Sequence, residues 1–190
     1  MLSLQKEQIT DDQVRAAFEE TQLRVYTMAM VHEHLYQSAE VSALDLATYL
    51  DSIFGYVLRV APAGLELNRH TEMESCTVTS DLAIHLGLIV TELLTNAVKH
   101  AFPGRSTGLI ELHLKRVDES FRITVIDDGV GVPNPDALRS SDSMGMQIVN
   151  ALISQLKGSL NVTNHNGTQC EVWIPQRAAD GPRRNHSSIH

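Results

Sequence analysis

Val14, Phe18, Thr21, Val25, Met28, His32 and Leu35 recur at alternating spacings of four and three residues. That rhythm predicts a helix with an apolar seam of the kind that packs on another helix. Asp11 or Asp12 can cap its start. A polar break over residues 38–42 follows. Ser42 with Asp45 then reads as a capping box for a second helix over roughly residues 44–60, ended by Pro62 and Gly64. Beyond Pro62 the period changes. Residues 65–69 read as a short strand, and Ser80 and Asp81 can cap a long helix that runs to about Ala101 and stops at Pro103-Gly104. Residues 109–117 and 121–126 alternate at period two around Asp118-Glu119, which predicts a hairpin. Residues 132–143 form a polar loop, 144–157 a helix ended by Gly158, and 160–163 with 169–174 a second hairpin around Asn166-Gly167. From Gln176 the chain is polar and basic without periodicity, the composition of a disordered tail. The pattern as a whole predicts a helical hairpin, then an α/β sandwich, with the boundary near Ala61.

Composition narrows the reading. At 190 residues the chain holds one ordinary domain or two small ones, and 43% hydrophobic against 20% charged residues is enough for a sizeable core. A formal net charge of −8 argues against nonspecific nucleic-acid binding. Cys76 and Cys170 are far apart and lack ligand-like spacing, as expected of reduced thiols in the cytoplasm. No apolar run reaches membrane-spanning length and residues 1–8 lack a signal-peptide core, so this segment is expected to make no membrane contact.

Four short strings carry candidate chemistry. In the long helix Glu92, Asn96 and His100 lie at i, i+4 and i+8, flanked by Lys99, and form one stripe. Leu88 and Ile89 border it, so the stripe is expected to be partly buried. Burying carboxylate, amide and imidazole is costly unless a ligand or metal satisfies them. Second, Phe121, Ile123, Val125 and Asp127 share one strand face, which sets Asp127 at the edge of a core, able to accept from an exocyclic amine. Gly129 and Gly131 follow, and glycines there permit positive backbone angles and close ligand approach. Third, residues 143–147, with Gly145 and Met146, lead from loop into helix, where exposed N–H groups favour phosphate. Fourth, Thr168 follows Gly167. Alone, each string also fits ordinary structure: a solvated helix face, an Asp-Gly turn, a capped helix, a strand threonine.

Together and in this order the strings resemble the Bergerat ATP-binding fold shared by gyrase-type ATPases, heat-shock chaperones, mismatch-repair ATPases and sensor histidine kinases. Residues 92–103 resemble the N box, and residues 143–149 the second glycine box, of the histidine-kinase subgroup with a variant dimerisation region. Residues 23–38 resemble the second dimerisation helix of that subgroup. The resemblance implies a two-layer α/β (α+β) sandwich, with a mixed, mostly antiparallel sheet and helices on one face, preceded by a helical dimerisation segment. It implies ATP and Mg²⁺ as cofactors, with Asn96 ligating magnesium through its side-chain oxygen. Glu92 would polarise the nucleophile, Lys99 and His100 would face the phosphates, Asp127 would accept from the adenine amine, and Thr168 would support it. Gly129, Gly131, Gly145 and Met146 would flank the nucleotide, and residues 132–143 would form a short lid carrying Arg139 as a phosphate contact.

The implied reaction is phosphoryl transfer from ATP to a histidine, then to a response regulator, in a cytoplasmic chain fed by an upstream sensor domain. Residues 1–60 would be a partial dimerisation region able to pair as a homodimer through residues 12–60. Residues 61–176 would be the catalytic domain and 177–190 the tail. The subgroup's acceptor motif is absent, and residues 1–5 resemble the end of the acceptor-bearing helix, so the chain is expected to start just after the acceptor and to be unable to label itself at the family site. Two other readings stay open: an ATP-independent phosphorelay or docking module, and an ATPase or anti-sigma-type serine kinase. His70, His113 and His165 fall on strand or turn surfaces without convincing ligand spacing, and no zinc site is expected.

Overall fold

The computed structural model describes residues 12–37, 43–136 and 143–175. In chain order these form α1 (Asp12–Gln37), β1 (Ala43–Asp45), α2 (Leu46–Arg59), β2 (Glu66–Met73), β3 (Thr77–Thr79), α3 (Ser80–His100), β4 (Thr107–Val117), β5 (Ser120–Asp127), α4 (Met144–Gln155), β6 (Ser159–Asn164) and β7 (Thr168–Pro175).

Five strands make one mixed sheet in the order β2-β4-β5-β7-β6, antiparallel except for the β2–β4 pair. Alternation decides its faces. On β4, Ile110, Leu112 and Leu114 are fully buried while Glu111, His113 and Lys115 look outward. The helices cover the buried face, and one continuous core runs from Leu23 of α1 to Ile174 of β7. The two expected hairpins form, with Asp118 and Asn166 in the left-handed region at their turns.

Three details differ from the sequence reading. α2 is capped by Asp45, which accepts from the Thr48 N–H, and α3 by Thr79, which accepts from the Leu82 N–H. Asp45 and Thr79 terminate β1 and β3, a short antiparallel pair that period-two analysis cannot see in three-residue strands. The strand expected over residues 65–69 is longer, because its ladder with β4 continues to Met73. α3 is long and apolar enough to cross a membrane by length and composition, contrary to expectation, but most of it lies inside the core.

The largest difference concerns α1. The seam expected through Val25 and Met28 is not the face that packs: Val25 is 50% and Met28 43% exposed. Leu23, Thr27, Met30 and Val31 are buried instead. Thr27 shares a hydrogen bond with Thr91 of α3 (2.9 Å) and accepts at its carbonyl from the Tyr49 hydroxyl of α2 (2.9 Å). Tyr26 stacks on Tyr56 of α2 at 3.9 Å between ring centroids. The side chains of Val14, His32 and Leu35 lie outside the described residues.

Candidate functional site

The sheet and α3 enclose a cavity of about 720 Å³, within the range of small-molecule and cofactor sites. Asn96 and His100 reach it from α3, Asp127 from the end of β5, Gly131 from the following turn and Thr168 from the start of β7. Residues from three of the four strings therefore share one space, while Gly145 and Met146 of the remaining string do not line it.

Asp127 is its best-defined polar group. Only 5% of it is exposed, as its place after the buried Phe121, Ile123 and Val125 dictates. Oδ1 accepts from the backbone N–H groups of Gly129 (3.0 Å) and Thr168 (3.1 Å), and the Thr168 side chain also bonds the carboxylate. Burial pushes its pKa up from the ordinary value of 3.8, against those hydrogen bonds. Its neighbour Asp128 behaves oppositely. Burial is outweighed there by the Leu109 N–H (2.7 Å) and by Arg105 (2.8 Å), which hold its pKa low. Asp128 anchors a turn and Asp127 faces the cavity.

The glycines act through space more than through dihedral freedom. Gly131 has a φ of 72°, as expected, but Gly129 does not adopt a positive φ. A Cβ on Gly129 would lie 2.2 Å from the Ala101 carbonyl oxygen, and the Val130 N–H donates to that same oxygen at 2.9 Å. The turn is pressed against the C-terminus of α3, which ties the Asp127 and Asn96 walls together. Asn164, not singled out by sequence, closes the turn by pairing with Val132 through both its amide atoms (3.0 and 2.6 Å).

Asn96 donates its side-chain N–H to the Met146 sulfur at 3.5 Å. Among the described residues its carbonyl oxygen has no partner, which leaves it free for an oxygen-seeking cation. Met146 is buried in α4, whose N-cap is Ser143, and Gly145 lies beside Glu92: a Cβ there would fall 2.4 Å from Glu92 Oε2. Arg139 lies outside the described residues, as does half of the expected lid, residues 137–142.

Glu92 and Lys99 do not open onto the cavity. Glu92 is 5% exposed and both its oxygens are held by Arg24 of α1, Oε1 by Nε at 2.5 Å and Oε2 by Nη2 at 3.1 Å. The hydrogen bond to Glu92, acting against burial, raises the pKa of Arg24. Lys99 pairs with Glu20, which also sits 3.5 Å from Arg24, and borders a separate hollow of about 410 Å³ between α1, α2 and α3. Arg24 leaves no signal in the sequence because its partner is 68 positions away.

Comparisons with known proteins identify the family. A family model described as histidine kinase matches residues 1–61, and the model for histidine kinase-, DNA gyrase B- and HSP90-like ATPases matches residues 81–178. This chain belongs to the histidine kinases. Its relatives include the sensor histidine kinase PdtaS of Mycobacterium tuberculosis, 31% identical over 92% of this chain and 36% of that protein. Blue-light-activated histidine kinase 2 of Erythrobacter litoralis is 29% identical over 85% of this chain and 48% of that protein. The chain thus spans less than half the length of these two relatives. Among solved structures, a blue-light activated histidine kinase of Erythrobacter litoralis superposes with a TM-score of 0.72 at 26% identity, covering 85% of this chain and 55% of that one. The ATP-binding domain of PrrB from Mycobacterium tuberculosis shares the fold, with a TM-score of 0.54 at 22% identity over 70% of this chain and 96% of that one.

Proposed function

We propose that this chain is the ATP- and Mg²⁺-binding catalytic part of a sensor histidine kinase, moving the γ-phosphate of ATP to a histidine from which a response-regulator aspartate takes it. The observation that carries this reading is the buried Asp127 carboxylate, which shares one cavity of about 720 Å³ with Asn96 and His100. A carboxylate held at the cavity edge by two backbone donors selects a ligand that donates, as the adenine amine does. The free oxygen of Asn96 fits magnesium, which when bound neutralises charge on the transferring phosphoryl group. The residues of the chain itself supply position: α3 carries Asn96 and His100 one turn apart, the Gly129 turn fixes Asp127 to the end of α3, and Thr168 holds the carboxylate. Glu92 is the candidate to orient the nucleophile, but with both oxygens on Arg24 it is unavailable, so transfer requires that contact to open. The cytoplasm, where ATP and response regulators meet, is the compartment this reading requires.

Incubation with γ-labelled ATP and Mg²⁺, with nucleotide binding followed in parallel, tests the assignment. Binding without label on the protein is expected if the phosphate acceptor is not within these residues. Acid-labile label would place an acceptor histidine within the chain, and acid-stable label would favour the serine-kinase reading. Absence of nucleotide binding would overturn the proposal.

A further inference from the structure

The outer face of the sheet, away from the nucleotide cavity, brings together two histidines that lie 43 positions apart in sequence. In the parallel β2–β4 ladder His70 stands opposite Glu111 and Glu72 opposite His113. Because side chains alternate, these four residues form a square on one face, while Leu112 between them is fully buried on the other. One ligand atom each from His70, Glu111 and His113 lie within 4.8 Å of one another. His113 Nε2 is 3.2 Å from Glu111 Oε2, and the two imidazoles meet edge to face with centroids 6.0 Å apart.

We propose that His70, Glu111 and His113 bind a zinc-like divalent transition-metal ion on the open face of the sheet. Linear spacing concealed the site, since strand pairing and not a local motif assembles it. The donor set decides the class of metal. Two imidazoles with one carboxylate suit zinc, cobalt, nickel or copper, whereas magnesium seeks oxygen alone. Bonds of roughly 2.0–2.2 Å around a tetrahedral ion set ligand atoms about 3.4 Å apart, so the cluster must tighten by about 1.5 Å. Swinging His70 inward supplies this, because its side chain is 54% exposed, while Glu111 and His113 are already within 3.2 Å. Glu72 is engaged by Lys115 at 2.8 Å, which leaves the fourth position to water. An ordinary ion pair explains less: Glu111 already pairs with His113, whereas among the described residues the one carboxylate within 4 Å of His70 is Glu72, at 3.9 Å. A bound ion would clip the edge strand β2 to β4, the sheet's one parallel pair.

The test is a calorimetric titration of zinc into the nucleotide-free full chain without any polyhistidine tag, in excess magnesium, alongside the optical spectrum of the cobalt form. One zinc per chain is expected, with affinity falling at least about tenfold in His70→Ala and in His113→Ala. His165→Ala, in the exposed turn between β6 and β7, should leave it unchanged. Zinc should also raise the unfolding temperature of the wild type but not of either variant. Glu111→Gln, nearly isosteric, repeats the test should an alanine variant misfold. No stoichiometric binding, or binding unaffected by all three substitutions, would overturn the site and leave the cluster as ion pairs. No residue of the cluster lines the nucleotide cavity, so this outcome is independent of whether the chain binds ATP.

Discussion

At the scale of single residues, Asp127 carries the most consequence. Its pKa is raised by burial, so in the ligand-free protein its ionised form is disfavoured relative to the unfolded chain. The linked stability is therefore fully present below the unfolded value and is lost as pH rises through the higher folded one. Asp127→Asn should match or exceed the wild type in unfolding temperature at pH 7, with the difference shrinking as the pH is lowered toward 4 and Asp127 protonates. In Asn the amide oxygen must keep the Gly129 and Thr168 donors, so the amide NH₂ replaces the second carboxylate oxygen. That places a donor against the adenine amine and should weaken ATP binding about 100-fold or more. Gly129→Ala should instead destabilise by about 1–3 kcal/mol, because its Cβ meets backbone 2.2 Å away; a thermal or urea melt reads this. Asp127 and Asn96 were legible as cavity-facing because the apolar rhythm of strand and helix fixes where each side chain points, whereas Thr168 was singled out only by the family resemblance. Arg24 was not, since a long-range ion pair leaves no local pattern.

At the scale of elements, α1 shows why a seam can be real and still mislead. The four-and-three rhythm through Val25 and Met28 is present, yet the helix turns a mixed face inward, where Arg24 and Thr27 meet Glu92 and Thr91. A polar residue matched across a helix contact looks like solvent-facing sequence until its partner is known. Arg24 and Glu92 form a buried pair, with side chains 11% and 6% exposed. Removing one partner strands the other charge, so Arg24→Ala should cost about 3 kcal/mol, and Arg24→Met with Glu92→Leu should recover much of it. Equal stability of Arg24→Ala and the wild type in a urea melt would show that α1 does not hold Glu92 in solution.

At the scale of the whole molecule, the sheet was legible as two hairpins, both of which form, while the β5–β7 pairing that joins them was not. Nor were the parallel β2–β4 ladder and the β1–β3 pair, because distant strands pair through tertiary packing and not through turn chemistry. The stripe that α1 leaves exposed, with Val25 and Met28, is where the proposed pairing with a second chain would fall. Val25→Glu with Met28→Glu should abolish concentration-dependent self-association in sedimentation velocity without lowering the unfolding temperature. A wild type that stays monomeric at high concentration would exclude that stripe as a homodimer face. The central claim, that the cavity beside Asp127 takes ATP, is tested most directly by titrating ATP and Mg²⁺ into the wild type and into Asp127→Asn. Saturable binding to the wild type with a loss of about 100-fold or more in the variant is predicted. Equal affinity in the two proteins, or no binding to a folded wild type, would contradict the account.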